Sequence, residues 1–349
     1  MTESARTAVR FIGESAGADA WARALRGVDG VELARTAAAE DAFLAALADE
    51  RAAAVVIAEP LPDLAGAVKR CVLAGQHVFV TALPPLASRQ FAAIDELARR
   101  RQRVVLFDTP ALADEHIAFV RRMTQGPNAI WRPRYVRVLR TGSRAGTALD
   151  DVALAEVVRT LAIAGDAPER VSAFAPRVDD ESGAADVAMI TLQFAHGPVA
   201  RIDVSLLEPA ERDEAHVVCD GRTIVLQPRA GDAALQIQAA AQHRGPRPGT
   251  PWAETISEYP AGPAPDRMAA AASAFVAAAR GRDLAATNAR DAARAALVWE
   301  RARASMAAGG EILPVADGDA EAARPELRVI EGGGRRIASR APRLTVVGR

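Results

Sequence analysis

Lysine is nearly absent from this chain: Lys69 is the single copy among 349 residues, although arginine and alanine are abundant. Any chemistry that needs a lysine must use Lys69 or do without one. Cysteine is almost as scarce. Cys71 and Cys219 lie far apart, each inside an apolar segment, so they read as buried thiols and not as a disulfide or metal pair. The five histidines, His77, His116, His196, His216 and His243, show no H-x-x-x-H spacing, and no metal site is expected. No Ser or Cys stands in a nucleophile elbow. No apolar run approaches the roughly 18 residues of a membrane span, and the start "MTESARTAVRFIG" lacks the parts of a signal peptide. A formal net charge of -1 removes the electrostatic footprint of a nucleic-acid binder. These absences argue against membrane and nucleic-acid partners and lead to the expectation of a cytoplasmic protein.

Half of the residues are hydrophobic and a quarter charged, enough for two domains with a substantial core. In the first third, the β-rich runs "TAVRFIG", "GVELART", "AAAVVIAEP", "QHVFVTA" and "RVVLFDTP" alternate with the helical stretches "AGADAWARALRG", "LAGAVKRCVLAG" and "FAAIDELARRR". Continuously apolar strands between amphipathic helices predict a parallel sheet covered on both faces. Further on, "RPRYVRVLR", "VAMITLQF" and "VARIDVSLL" alternate polar with apolar residues. Tight turns at "AHGP" and at Asp220-Gly221 predict hairpins. The helix "LDDVALAEVVRTLAIAG" is expected to be capped by Asp150 or Asp151 and closed by Gly165. A long Ala-rich helical stretch runs from Arg267 to about Ala308, broken near "GRDLAAT". The fold class is therefore α/β: a Rossmann-type parallel sheet followed by an α+β domain with an open, mostly antiparallel sheet. The expected divisions are 1–117, 118–314 and an arginine-rich tail over 315–349.

Four segments, in this order and spacing, carry a family likeness: "VRFIGESAGADAWARAL", "AAAVVIAEPLP", "AVKRCVLAGQHVFV" and "AFVAAARGRDLAATNARDAARAALVWERARASMAAGGEILP". They resemble the Gfo/Idh/MocA family of oxidoreductases over about residues 7 to 314. The resemblance implies a dinucleotide-binding domain, a cofactor of the NAD or NADP type, and a sugar-like or polyol substrate. It places the cofactor against Gly13, Ser15 and Ala16 in the first turn, Glu59 and Pro60 after the third strand, and Thr81 and Ala82 after the fourth.

The chemistry-bearing positions depart from the family pattern. Family members carry Glu-Lys-Pro at the corner "HVFVTALPPLAS", where this chain has Thr81 and Ala82 followed by Leu83 or Pro84. No register recovers a lysine. The family's helical histidine falls on Ala155 and a following Asp on Val158, while an earlier Asp survives as Asp151. Glu156 sits one residue on, rotated by about 100°; it reads either as a carboxylate base or as half of an exposed pair with Arg159 at i,i+3. In the fingerprint, Ser15 replaces the glycine over which a pyrophosphate passes, and Glu14 adds a negative charge beside a helix N-terminus. The second strand ends in Arg35-Thr36 without an acid for a ribose, which leaves Arg35 as a possible partner of a 2′-phosphate. Residues 37 onward are too short for the usual intervening helix and strand.

Asp108 reads as the cap of a helix starting near Pro110 in preference to a cleft group. His77 reads as structural, His116 as surface or interface, and Trp131, Trp252 and Trp299 as core or interface. Asp151 and Glu156 are thus the only catalytic candidates. Two readings of function follow. One is a catalytically impaired or silent relative serving as a binding or scaffold subunit, joined through its open sheet to itself or to a paralogue. The other is an NAD(P)-dependent oxidoreductase with non-standard catalytic groups. The simultaneous loss of lysine, histidine and ribose-binding acid favours the first.

Overall fold

A computed structural model describes residues 7–36, 52–109, 112, 114–143, 148–176, 185–228, 234–240, 254–259, 266–281, 283 and 287–315. Met1–Val315 forms one compact unit. The arginine-rich tail, residues 37–51, Trp252 and His243 lie outside the described residues.

The first layer is a five-stranded parallel sheet of β1 (Thr7–Ile12), β2 (Val31–Thr36), β3 (Ala54–Ile57), β4 (His77–Val80) and β5 (Val105–Phe107), in the order β2-β1-β3-β4-β5. Every residue of β3 and β4 is buried, as expected of strands covered on both faces. Helices α1 (Ala16–Arg26), α2 (Leu64–Leu73) and α3 (Ser88–Arg101) cross over between the strands. His77 is structural: its Nδ1 accepts from the Val104 N–H at 2.9 Å inside the sheet.

After α4 (Glu115–Thr124) the chain enters β6 (Pro133–Ser143), α5 (Leu149–Ala164), β7 (Pro168–Phe174), β8 (Val187–Phe194), β9 (Val199–Ser205), β10 (Leu207–Cys219), β11 (Arg222–Leu226), β12 (Leu235–Ala240) and β13 (Glu254–Tyr259). Helices α6 (Arg267–Gly281) and α7 (Ala289–Ala307) and the short β14 (Leu313–Pro314) complete it. The nine strands run in the order β13-β12-β11-β10-β6-β9-β8-β7-β14. All neighbours are antiparallel except β6 and β9. Both expected hairpins are present, β8–β9 across "AHGP" and β10–β11 across Asp220-Gly221, where Gly221 takes φ +74°. One face is covered by α5 and α7.

Chain order and packing part company at the end. Helix α6 returns to the first sheet: Phe275 stacks on Phe79 at 5.3 Å, and Trp21 of α1 meets Phe79 edge-on at 5.2 Å. Helix α7 packs on both α3 and β7, so a single apolar cluster spans parts of both sheets. Just before α7, Asn288 bonds the Phe107 N–H at 2.8 Å and the Phe107 carbonyl at 2.7 Å, pairing the free edge of β5 as a strand would. Cys71 and Cys219 are buried free thiols, as expected. Trp299 is buried in the core, and Trp131 packs edge-on to Phe119 beneath Arg222.

The caps of α5 correct one expectation. Its N-cap is Ala148, without a side-chain bond; Asp150 and Asp151 lie inside the first turn, where negative charge suits the helix dipole. Gly165 does close the helix, at φ +77°. A Cβ there would lie 2.5 Å from Gln125, whose Nε2 donates to the carbonyls of Ala162 and Ile163.

Candidate functional site

Strands β1 and β3 are neighbours whose connections leave in opposite directions, which opens a crevice at their carboxyl ends. Gly13 makes the turn there. It sits at φ +150°, and a Cβ would lie 2.9 Å from the Ala18 Cβ and 3.2 Å from that of Ala58. Only glycine fits. Ser15 caps α1, its Oγ accepting from the Ala18 N–H at 3.2 Å, and Ala16 opens the helix at the surface.

Two further N–H groups of this turn are engaged by a carboxylate. Glu59, just past β3, accepts the Glu14 N–H on Oε1 at 2.6 Å and takes the Ser15 N–H on the same oxygen. Those two backbone bonds hold its carboxyl below the ordinary range. Pro60 follows at the surface. Arg35 of β2 folds back over the same turn: Nε donates to the Gly13 carbonyl at 2.6 Å and Nη1 meets Asp19 at 2.5 Å. At the corner beyond β4, Thr81 is half-buried and gives its N–H to Ile57, Ala82 is exposed, and Pro84 is buried. None of these corner side chains titrates near neutral pH.

A second hollow of about 430 Å³ lies beside α5, lined by Asp151, Ala155, Glu156 and Arg159 together with Asp114, Arg140, Asp213 and Arg267. Asp151 and Glu156 thus share one cleft. The expected solvated position of the Glu156–Arg159 pair is corrected: the two side chains are 7% and 4% exposed. They are buried because α5 is packed between the sheet and helices α4 and α7. Arg159 Nη1 reaches Glu156 at 3.4 Å and also Asp213 Oδ1, and Arg140 meets Asp213 Oδ2 at 2.8 Å. Burial pushes the Glu156 carboxyl up, against the pull of Arg159. Burial, then the neighbouring Asp150, does the same to Asp151.

Asp213 enters the cleft from an irregular stretch of β10. Its pairing with β6 slips between Leu207 and Arg212. Thr141 Oγ1 fills the slip, donating to the Ala210 carbonyl at 2.8 Å and accepting from the Arg212 N–H at 3.2 Å. Such irregularities re-aim the next side chain.

Asp108 is not a helix cap. Helix α4 starts at Glu115 under Asp114, whose Oδ1 accepts from the N–H groups of His116 and Ile117. Asp108 instead lies buried at the carboxyl end of β5, 2.8 Å from Arg267 Nη2. Burial pushes its carboxyl up to about 6, against the pull of Arg267. Arg140, Arg267 and Asp213 were not candidates from sequence, since they converge from distant parts of the chain. No cluster of potential metal ligands occurs among the described residues, and no helix there is long and apolar enough to cross a membrane.

A parallel sheet with a glycine turn at its switch point, joined to an open mixed sheet, makes a two-part α/β architecture. Comparison with known proteins shows which fold this is. Residues 121–225 match the family model described as the GFO/IDH/MocA C-terminal domain. GenD2 from gentamicin A biosynthesis, solved in complex with NAD, superposes with a TM-score of 0.70 at 18% identity, covering 91% of this chain and 98% of that one. The UDP-N-acetylglucosamine 3-dehydrogenase GnnA from Acidithiobacillus ferrooxidans gives 0.71 at 18%, covering 87% and 99%. The apo scyllo-inositol dehydrogenase from Lactobacillus casei gives 0.68 at 13%, covering 90% and 99%. No curated protein matched by sequence. The chain has the fold of the Gfo/Idh/MocA oxidoreductases, and the resemblance of its segments to that family is borne out.

As arranged here, the turn does not fit the dinucleotide for which the fold is known. Two donors at the start of α1, the N–H groups of Glu14 and Ser15, are bonded to Glu59, and β2 ends in Arg35-Thr36, without a carboxylate for the ribose.

Proposed function

We propose that the chain is a catalytically silent Gfo/Idh/MocA-type protein that serves as a binding or scaffold subunit. One observation carries this reading. The two places where the family resemblance puts proton-transfer groups are filled by Thr81-Ala82 at the corner and by Ala155 on α5, which lines the cleft with a methyl group. Proton transfer contributes on the order of 10²–10⁴-fold to such reactions, and these side chains supply none. The cleft remains polar and shaped, which suits a sugar-like or polyol ligand; GnnA and the inositol dehydrogenase are named for substrates of that kind. The open sheet face supports assembly with a second copy or a paralogue. Val199 is 44% exposed there, on the same face as Arg201 and Asp203, which pair at 2.8 Å. The test is a steady-state assay with NAD and NADP across sugars and polyols, with light scattering for assembly state. Turnover above background refutes silence, and a strict monomer refutes the scaffold role.

A second reading has its own support. Burial pushes the Asp108 carboxyl up to about 6 at the carboxyl edge of the first sheet, beside Arg267, which lines the cleft. A group with such a pKa is suited to acid–base work. On this reading the chain is an NAD(P)-dependent oxidoreductase with Asp108, Asp151 or Glu156 in place of the lost groups. Any turnover would then collapse in Asp108→Asn.

A further inference from the structure

We propose that the Glu59 carboxylate takes the place of a cofactor phosphate on the Gly13–Ser15 turn and thereby closes that turn to dinucleotides. The start of a helix offers N–H groups and a positive dipole end to any anion. Here two consecutive donors, the N–H groups of Glu14 and Ser15, converge on one oxygen of Glu59. A third, that of Ala18, is taken by Ser15 Oγ. The anion is built in, supplied from across the switch point by the second residue after β3.

The opposite end of the would-be ligand is closed by a different contact. Arg35, the side chain at the end of β2 best placed to meet a ribose or its 2′-phosphate, is bonded to the Gly13 carbonyl and to Asp19, with its guanidinium 5.8 Å from the Phe11 ring centre. The Glu14 and Ser15 N–H groups and the Arg35 guanidinium are therefore all bonded within the chain. An incoming pyrophosphate must displace Glu59 and then lie beside a carboxylate of its own sign. A tethered competitor acts at a high effective concentration. The inference extends the silent reading: the turn has gained a specific occupant in addition to losing cofactor-binding residues.

The experiment is calorimetric titration of the full chain, as wild type, Glu59→Ala, Glu59→Gln and Ser15→Gly. The probes are NADH, NADPH and ADP-ribose, the last to test the phosphate turn without the nicotinamide. Thermal melts confirm that each variant is folded. Freed charge-assisted donors should tighten ADP-ribose binding by roughly ten- to a hundred-fold in Glu59→Ala. Glu59→Gln removes the charge while keeping an acceptor and should gain less. Ser15→Gly alone should gain nothing, because the carboxylate remains. Equal affinity of wild type and Glu59→Ala overturns the inference, whether both bind or neither binds. Absence of binding in both would still leave the silent reading intact. Conversely, turnover by the wild type would end the silent reading, while the affinity ratio would still decide the role of Glu59.

Discussion

The Gly13 turn and the cleft beside α5 handle charge in opposite ways. At the turn, a carboxylate at the protein surface satisfies backbone donors, and water remains close by. In the cleft, Arg140, Asp213, Arg159 and Glu156 form a chain of ion pairs, two of whose members are almost fully buried. Burying charges is expensive, and their mutual attraction repays it only with good geometry. The presence of such a network beside a corner without titratable side chains fits the proposed reading, in which a shaped polar surface is present where proton-transfer groups are not.

The strongest way to break that comparison is to remove the shared partner. Asp213→Ala leaves Arg159 and Arg140 facing each other without their common carboxylate. Loss of one member of a buried pair typically costs about 3–5 kcal/mol, and urea denaturation should show a loss of that order. A loss below about 1 kcal/mol would make the cleft no different in kind from the surface pairs.

Asp108→Asn should come next, and its effect depends on pH. The folded-state pKa of about 6 lies above the ordinary 3.8. The folded protein therefore holds the proton more tightly than the unfolded chain, and stability from this group is lost as pH rises from about 4 through 6. The variant lacks that loss. Its stability relative to wild type should rise across this window by about 2–3 kcal/mol and then level off. A flat difference would mean that Arg267 keeps Asp108 ionised throughout.

Thr141→Val sharpens the comparison further. It removes both bonds that span the irregular stretch and so loosens the aim of Asp213. A loss of about 1–2 kcal/mol is expected, smaller than that of Asp213→Ala because the ion pairs survive.

The two regions also differ in how far the sequence disclosed them. The parallel sheet was legible because fully buried strands such as "AVVI" and "HVFV" read as unbroken apolar runs, and Gly13 was legible because a tight turn leaves no room for a Cβ. The cleft was only half legible. The i,i+3 pairing of Glu156 with Arg159 is local, but its burial depends on α4 and α7 closing over α5, which no helical period reveals. Asp213 and Arg140 meet only through the β6–β10 register, and Asp108 was misread because an acid ahead of Pro110 imitates a helix cap. Glu59 was placed near the cofactor turn by resemblance, but its bond to residues 44 and 45 positions earlier is a tertiary contact. Patterns along a chain mark faces and turns; they do not say which distant side chain will fill a donor.

The smallest expected effect bears most directly on the difference between the regions. Glu59→Gln should change stability by about 0.5 kcal/mol or less near neutral pH, since the site is solvated and the amide oxygen can still accept. Its folded pKa lies below the ordinary 4.5, so the carboxylate's contribution is present above that value and lost as pH falls through the depressed one. Wild type and variant should therefore converge in acid, as melts taken from pH 7 down to pH 3 would reveal. A large gap at neutral pH would make Glu59 a structural clasp of the turn, comparable to the buried pairs beside α5. A negligible gap combined with altered ADP-ribose affinity would separate the two regions cleanly: a carboxylate that contributes little to folding yet decides what the turn accepts acts on ligands.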